Sequence, residues 1–323
     1  MRTILVPLDG SPLAEQALLS ARSLAASAQA RLVLVRAVPF AFTSHRRETA
    51  GHAALAEARH YLEGKSRELE GEGLTVRSDL LPGDPAQAIL FAAQAHHADL
   101  IAMSTHGKTG IQQAFLGSVA DEVLRHGECP VLLTRAASTP LDPTTPRRIL
   151  VPLDGTALSE AALAYLTGEH LAESAKVVLL RVVEPPTIPA IPLLSPTAAA
   201  DLFARVDQET NEARTRAEAY LTSLGERYLH GHDWERRVVV GYASEEIVRQ
   251  AGAVGATLIT MATAGRHGFE RLLYGSVAGR VLRQAPMPVL LVHDVAGHQP
   301  KDAPVPGTQP ERRDRAATRE PHR

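Results

Sequence analysis

Met103-Ser104-Thr105-His106-Gly107-Lys108-Thr109-Gly110 runs on through Phe115-Leu116-Gly117-Ser118-Val119. The same arrangement returns as Met261-Ala262-Thr263-Ala264-Gly265-Arg266-His267-Gly268, followed by Leu273-Tyr274-Gly275-Ser276-Val277. Nine residues separate Gly107 from the Gly117-Ser118 pair, and nine separate Gly265 from Gly275-Ser276. The apolar runs Leu100-Ile101-Ala102-Met103 and Leu258-Ile259-Thr260-Met261 predict a strand before each loop, and a helical pattern follows each Gly-Ser. Strand, glycine-bearing loop and helix start together make an anion pocket. Glycine lets backbone approach a phosphate closely, and the free N–H groups of the first helical turn face the charge. The stretch reads as a nucleotide-phosphate cradle, built twice.

Working outward, each cradle is the late part of a longer repeat. Ile4-Leu5-Val6-Pro7-Leu8-Asp9-Gly10 returns as Ile149-Leu150-Val151-Pro152-Leu153-Asp154-Gly155, an offset of 145 residues that Arg36 and Arg181 keep. The cradle glycines Gly107 and Gly265 stand 158 apart, so the second copy gains residues between, in the loop 184–196 and the helix beyond. In the first copy, strands are expected over 3–8, 31–38, 74–80, 98–104 and 130–134, alternating with helices over 12–28, 44–70, 86–96 and 119–126. Ser11-Pro12 and Asp84-Pro85 open two of those helices as N-cap and first-turn pairs. The strands are continuous apolar runs, which predicts α/β architecture: parallel sheets covered by helices on both faces. Two tandem domains follow, over 1–136 and 147–294, with a proline-rich linker over 137–146. A polar tail over 295–323 has the composition of disorder.

The 323 residues, 45% hydrophobic and 22% charged, suit an ordinary globular protein with two full cores. A net charge of −2 gives no reason to expect nucleic acid or an anionic membrane as partner, and no apolar stretch spans a bilayer. The strand at 3–8 leaves no room for a signal peptide, and the single cysteine, Cys129, suits a reducing, cytoplasmic setting. Cys129 itself reads as a small core residue.

In an open parallel sheet, ligands bind beyond the carboxyl ends of strands where strand order reverses. Asp9 and Asp154 stand at such ends, and each is a candidate acceptor for a sugar or base donor or a holder of phosphate-bound Mg²⁺; the alternative is that each only caps the next helix. Ser118 and Ser276 can cap a helix or donate to phosphate. Lys108 and Arg266 reach toward an outer phosphate or lie solvated. His106 faces Ala264 in the other copy, which favours a polar loop contact over a base. His96-His97 and His230-Gly231-His232 lack metal-site spacing and read as surface residues. Neither a Walker A sequence nor a Gly-x-Ser-x-Gly elbow is present.

Taken together, Ile-Leu-Val-Pro-Leu-Asp-Gly-Ser at the start, Met-Ser-Thr-His-Gly-Lys-Thr-Gly, Leu-Gly-Ser-Val-Ala and Cys-Pro-Val-Leu-Leu resemble the universal stress protein family over 1–135 and 147–294. The resemblance implies a tandem member, each domain a five-stranded parallel sheet in the order 3-2-1-4-5. It implies ATP as ligand, with or without Mg²⁺. Pro7, Asp9 and Ala37 then lie near the adenosine, with Met103, Ser104, His106, Gly107, Gly117, Ser118 and Val119 around ribose and phosphates. In the second domain the counterparts are Pro152, Asp154, Val182, Met261, Ala262, Gly265, Gly275, Ser276 and Val277. The family pattern has glycine where this chain has Ser104 and Ala262. Family members dimerise, often through strand five, and Val131-Leu132-Leu133 and Val289-Leu290-Leu291-Val292 suit pairing within one chain as an internal pseudo-dimer; a homodimer is the further implication. With no base but Asp9 and Asp154 near the phosphates, any hydrolysis is expected to be slow. The implied role is a stress-response binding and switching module; the alternative is a nucleotide-free dimerisation scaffold acting through protein partners.

Overall fold

A computed structural model describes residues 1–38, 48–105, 116–186, 196–263 and 275–293. The first half contains β1 (Thr3–Pro7), α1 (Pro12–Ala28), β2 (Arg31–Val38), α2 (Glu48–Gly71), β3 (Val76–Pro82), α3 (Pro85–Ala95), β4 (Leu100–Ser104), α4 (Ser118–His126) and β5 (Val131–Thr134). The second half repeats the series as β6 (Arg147–Pro152), α5 (Ala157–Gly168), β7 (Ala175–Val183), α6 (Pro196–Tyr228), β8 (Trp234–Val240), α7 (Ala243–Ala253), β9 (Leu258–Thr263), α8 (Gly275–Gln284) and β10 (Val289–His293). Local chemistry sets these boundaries. Ser11 accepts from the Ala14 amide with Pro12 behind it, and Asp84 accepts from the amides of Ala86 and Gln87 with Pro85 behind it. The extra length of the second copy lies partly in α6, 33 residues against 24 in α2.

All ten strands form one sheet in the order β3-β2-β1-β4-β5-β10-β9-β6-β7-β8. Each half has the expected 3-2-1-4-5 order with parallel pairing, and the halves join through an antiparallel contact between β5 and β10. The register there is self-complementary. Leu132 faces Leu290, its own counterpart at the 158-residue offset, while Val131 faces Leu291 and Leu133 faces Val289. A pseudo-twofold axis therefore passes through the Leu132–Leu290 pair, and the strand-five edge of each half is used inside the chain.

Alternation along the strands sends side chains to two layers. Ile4, Val6, Leu32, Leu34, Leu132, Leu290 and Leu179 pack beneath α1, α2, α5 and α6. Leu5, Val33, Val35, Leu133, Val289 and Leu291 pack beneath α3, α4, α7 and α8. Each layer runs unbroken across the junction of the halves. The expected tail over 295–323 and both cradle loops lie outside the described residues.

Candidate functional site

Strand β1 pairs with β4 through Ile4–Leu100 and Leu5–Ile101, and β6 pairs with β9 through Ile149–Leu258 and Leu150–Ile259. These are the places where each half reverses its winding, so a crevice opens beyond their carboxyl ends. Into the first run Pro7, Asp9 and the end of β4; into the second run Pro152, Asp154 and the end of β9. Ala37 and Val182 flank the two crevices on β2 and β7, both half-buried.

Neither aspartate is the helix cap. Asp9 Oδ1 accepts from the Ser11 amide at 2.9 Å while Ser11 caps α1. Asp154 Oδ1 accepts from the Thr156 amide at 2.9 Å and its hydroxyl at 2.5 Å while Thr156 caps α5. Each carboxylate closes a local turn one step ahead of the cap, over a glycine with positive φ, +82° at Gly10 and +86° at Gly155. At Asp154 burial alone would push the pKa up, but the Thr156 hydrogen bonds and the Arg181 charge hold it below the usual carboxylate range.

Gly117 is the N-cap of α4 in extended conformation, φ −64° and ψ 149°, and contributes no side-chain cap. Its N–H donates to Thr105 O at 2.6 Å, so the ends of the intervening loop meet. Ser118 is exposed, Val119 half-buried and Ala120 buried, which leaves the first turn of α4 facing out of the core. The second junction is built differently. Gly275 already lies within α8 and takes φ +67°, a left-handed conformation that a Cβ would strain. Ser276 is exposed and Val277 half-buried, as in the first half. Met103 and Met261, 5% and 7% exposed, are core side chains. Ser104, also buried, ends β4, and Ala262 is half-buried next to the end of β9. His106, Gly107 and Gly265, with Lys108 and Arg266, lie outside the described residues.

The structure adds a second duplicated set that the sequence reading passed over. Tyr61 on α2 donates to Glu15 Oε1 at 3.0 Å, Lys65 Nζ is 3.1 Å from Glu15 Oε2, and the Arg36 guanidinium lies 5.2 Å above the Tyr61 ring. In the other half Tyr220 donates to Glu160 Oε1 at 3.2 Å and Arg181 Nη1 donates to Leu153 O at 3.1 Å. Burial, with the neighbouring glutamate, raises both phenols, Tyr220 to about 12. Arg181 thus stands beside the second aspartate turn, and its counterpart Arg36 stacks on Tyr61. The signal was present: Glu15 with Glu160, and Arg36 with Arg181, keep the 145-residue offset of the aspartates.

Two side-chain expectations are corrected. His96 is buried, and its Nε2 bonds the Asp79 carboxylate on β3, so it is no surface residue. Cys129 is only partly covered and lies on a cleft between the halves, where burial pushes its thiol up to about 12. Among the described residues no His, Cys, Asp or Glu cluster could hold a metal ion, and no helix is long and apolar enough to cross a membrane.

His293, which ends β10, is 7% exposed; its Nδ1 lies 3.3 Å from Thr263 Oγ1 and its Nε2 has no partner among the described residues. Burial lowers its pKa below 6.5. The unfolded chain therefore takes up a proton near that pH while the folded chain does not. Stability is fully present above about pH 6.5 and falls as pH drops toward the folded pKa. The stability advantage of wild type over His293→Gln is expected to shrink between about pH 7.5 and pH 5.5 in urea titrations. A difference constant with pH would contradict this.

The universal stress protein family model matches residues 1–135 and again 145–293. The universal stress protein MJ0531 of Methanocaldococcus jannaschii is 31% identical over 139 residues, 42% of this chain and 82% of that protein. A universal stress protein of Mycobacterium tuberculosis, Rv2005c, is 24% identical over 218 residues, 68% of this chain and 69% of that protein. Among solved structures, a universal stress protein from Archaeoglobus fulgidus superimposes with a TM-score of 0.62 at 19% identity, covering 90% of this chain and 98% of that one. With both halves matched and the fold shared along nearly the whole length, the chain belongs to the universal stress protein family, as a tandem member.

Proposed function

We propose that each half binds an adenine nucleotide, ATP, in the crevice between its first and fourth strands, and that the chain works in the cytoplasm as a stress-response binding and switching module. The observation that supports this reading is that, at both reversal points, the strand leading to an aspartate turn pairs with the strand that precedes a Gly-Ser helix start. Helix-start amides suit phosphate, and a carboxylate such as Asp154, held below the usual range, suits a sugar or base donor rather than phosphate itself. Ser118 and Ser276 would hold phosphate oxygens, and Asp9 and Asp154 would receive the adenosine or a phosphate-bound Mg²⁺. Among the described residues the crevices hold no base besides Asp9 and Asp154, and the proposed role is binding, with any hydrolysis expected to be slow.

Gly117→Val tests the cradle. Valine adopts the extended φ and ψ of Gly117 without strain, so the fold is kept, with a loss of at most about 1 kcal/mol at the cap. Calorimetry is expected to show at least about tenfold weaker ATP binding at the first site, a loss of roughly 1.4 kcal/mol. Unchanged affinity would remove the cradle from the account. A nucleotide-free scaffold is the second reading, favoured by the Cβ atoms of Ser104 and Ala262 where the family pattern has glycine. Nucleotide released on denaturing the purified protein, read by absorbance, separates the two.

A further inference from the structure

Leu153, the residue before Asp154, is held by β7 at both of its backbone polar groups. Its N–H donates to Leu180 O at 2.8 Å, and its carbonyl accepts from Arg181 Nη1 at 3.1 Å. The guanidinium then reaches over the turn, with Nη2 3.7 Å from the point where a Cβ would stand on Gly155. On the other side, Asp154 N donates to Ser159 Oγ at 3.4 Å, and Thr156 donates to Asp154 Oδ1 through both its amide and its hydroxyl. The turn is thus pinned to β7 on one side and to the start of α5 on the other. Asp154 itself is exposed at the carboxyl end of β6, while Arg181 is half-buried beside it. The first half uses its arginine differently, since Arg36 lies 5.2 Å above the Tyr61 ring.

We propose that Arg181 is a positioning residue of the second crevice, fixing the Asp154 turn so that its carboxylate meets a neutral donor of the bound nucleoside and not a metal ion. The inference rests on the nucleotide reading above and narrows it. A carboxylate at a strand end can take either a hydroxyl or amine donor or a divalent cation. A fixed positive charge close by opposes the cation by Coulomb repulsion and leaves a hydrogen bond from a neutral donor unopposed. Arginine keeps that charge at any pH the fold meets, so the bias is permanent. The bond to Leu153 O adds a second effect. A turn already held in place loses less freedom when a ligand binds, and that saving appears as affinity. Arg181 acts through Asp154 and touches no part of the ligand itself.

Calorimetry of the full chain with ATP, and with adenosine in EDTA, tests this. Arg181→Met is expected to weaken one of the two sites at least about tenfold and to leave the other unchanged. The factor should be the same for adenosine as for ATP, because the effect passes through Asp154 to the nucleoside. Arg181→Lys, which keeps a donor and the charge, should recover most of the lost affinity; a lysine variant as weak as the methionine one would overturn the proposal. In Asp154→Asn, adding Arg181→Met should cost no more than about twofold further, since the group it acts through is already changed. A second full loss there would mean a merely structural role and would overturn the proposal. So would a loss with ATP that is absent with adenosine, which makes Arg181 a phosphate contact. Wild-type affinity at both sites in Arg181→Met would remove this inference alone. Wild type that binds neither ligand would remove the nucleotide reading and this inference with it.

Discussion

Leu132→Ala is expected to lower the free energy of unfolding by about 2–5 kcal/mol, because it opens a cavity at the axis joining the two halves. Leu132 is fully buried and faces Leu290, itself 1% exposed, across the antiparallel ladder. Both side chains lie under the layer containing α1 and α5, and the ladder holds the strand backbones apart, so the cavity cannot close by collapse. Leu290→Ala should cost about the same by symmetry. The double variant should depart from additivity by about 0.5 kcal/mol or more, as contacting residues do. Urea unfolding with an unchanged slope is the measurement. A loss below about 1 kcal/mol would mean that the halves are joined elsewhere.

The second large effect is expected at Gly225 on α6. A Cβ there would sit 2.2–2.4 Å from the ring of Trp234, closer than any real contact. Gly225→Val gains a few tenths of a kcal/mol in helix propensity but forces the indole off its seat, an overpacking cost of about 1–3 kcal/mol. Overpacking wins. Trp234 is the only tryptophan, so its emission should shift to the red in the folded variant alongside a lower urea midpoint. An unshifted emission with wild-type stability would contradict the packing.

Much of this architecture is written in local pattern. Buried runs such as Leu32-Val33-Leu34-Val35, and caps such as Ser11-Pro12 and Asp84-Pro85, act over a few residues and were legible from the chain alone. The pairing of the halves came instead from the family resemblance, which the apolar edges Val131-Leu132-Leu133 and Val289-Leu290-Leu291 suit. What was hidden depends on distant partners. His96 looked like a surface residue because Asp79, which holds it, comes from a strand 17 residues earlier. Cys129 looked like core because the cleft beside it exists only once α5 of the other half is in place. The Tyr61–Glu15 and Tyr220–Glu160 pairs join helices 46 and 60 residues apart in sequence. The different glycine geometry at the two helix starts, φ −64° against +67°, has no counterpart in motifs that read alike.

Counting bound ATP by native mass spectrometry tests the central claim most directly. Two nucleotides per chain are predicted, one for each crevice, falling to one in Gly117→Val. A chain that stays at its apo mass at saturating ATP would contradict the account, leaving the duplicated fold without the ligand proposed for it.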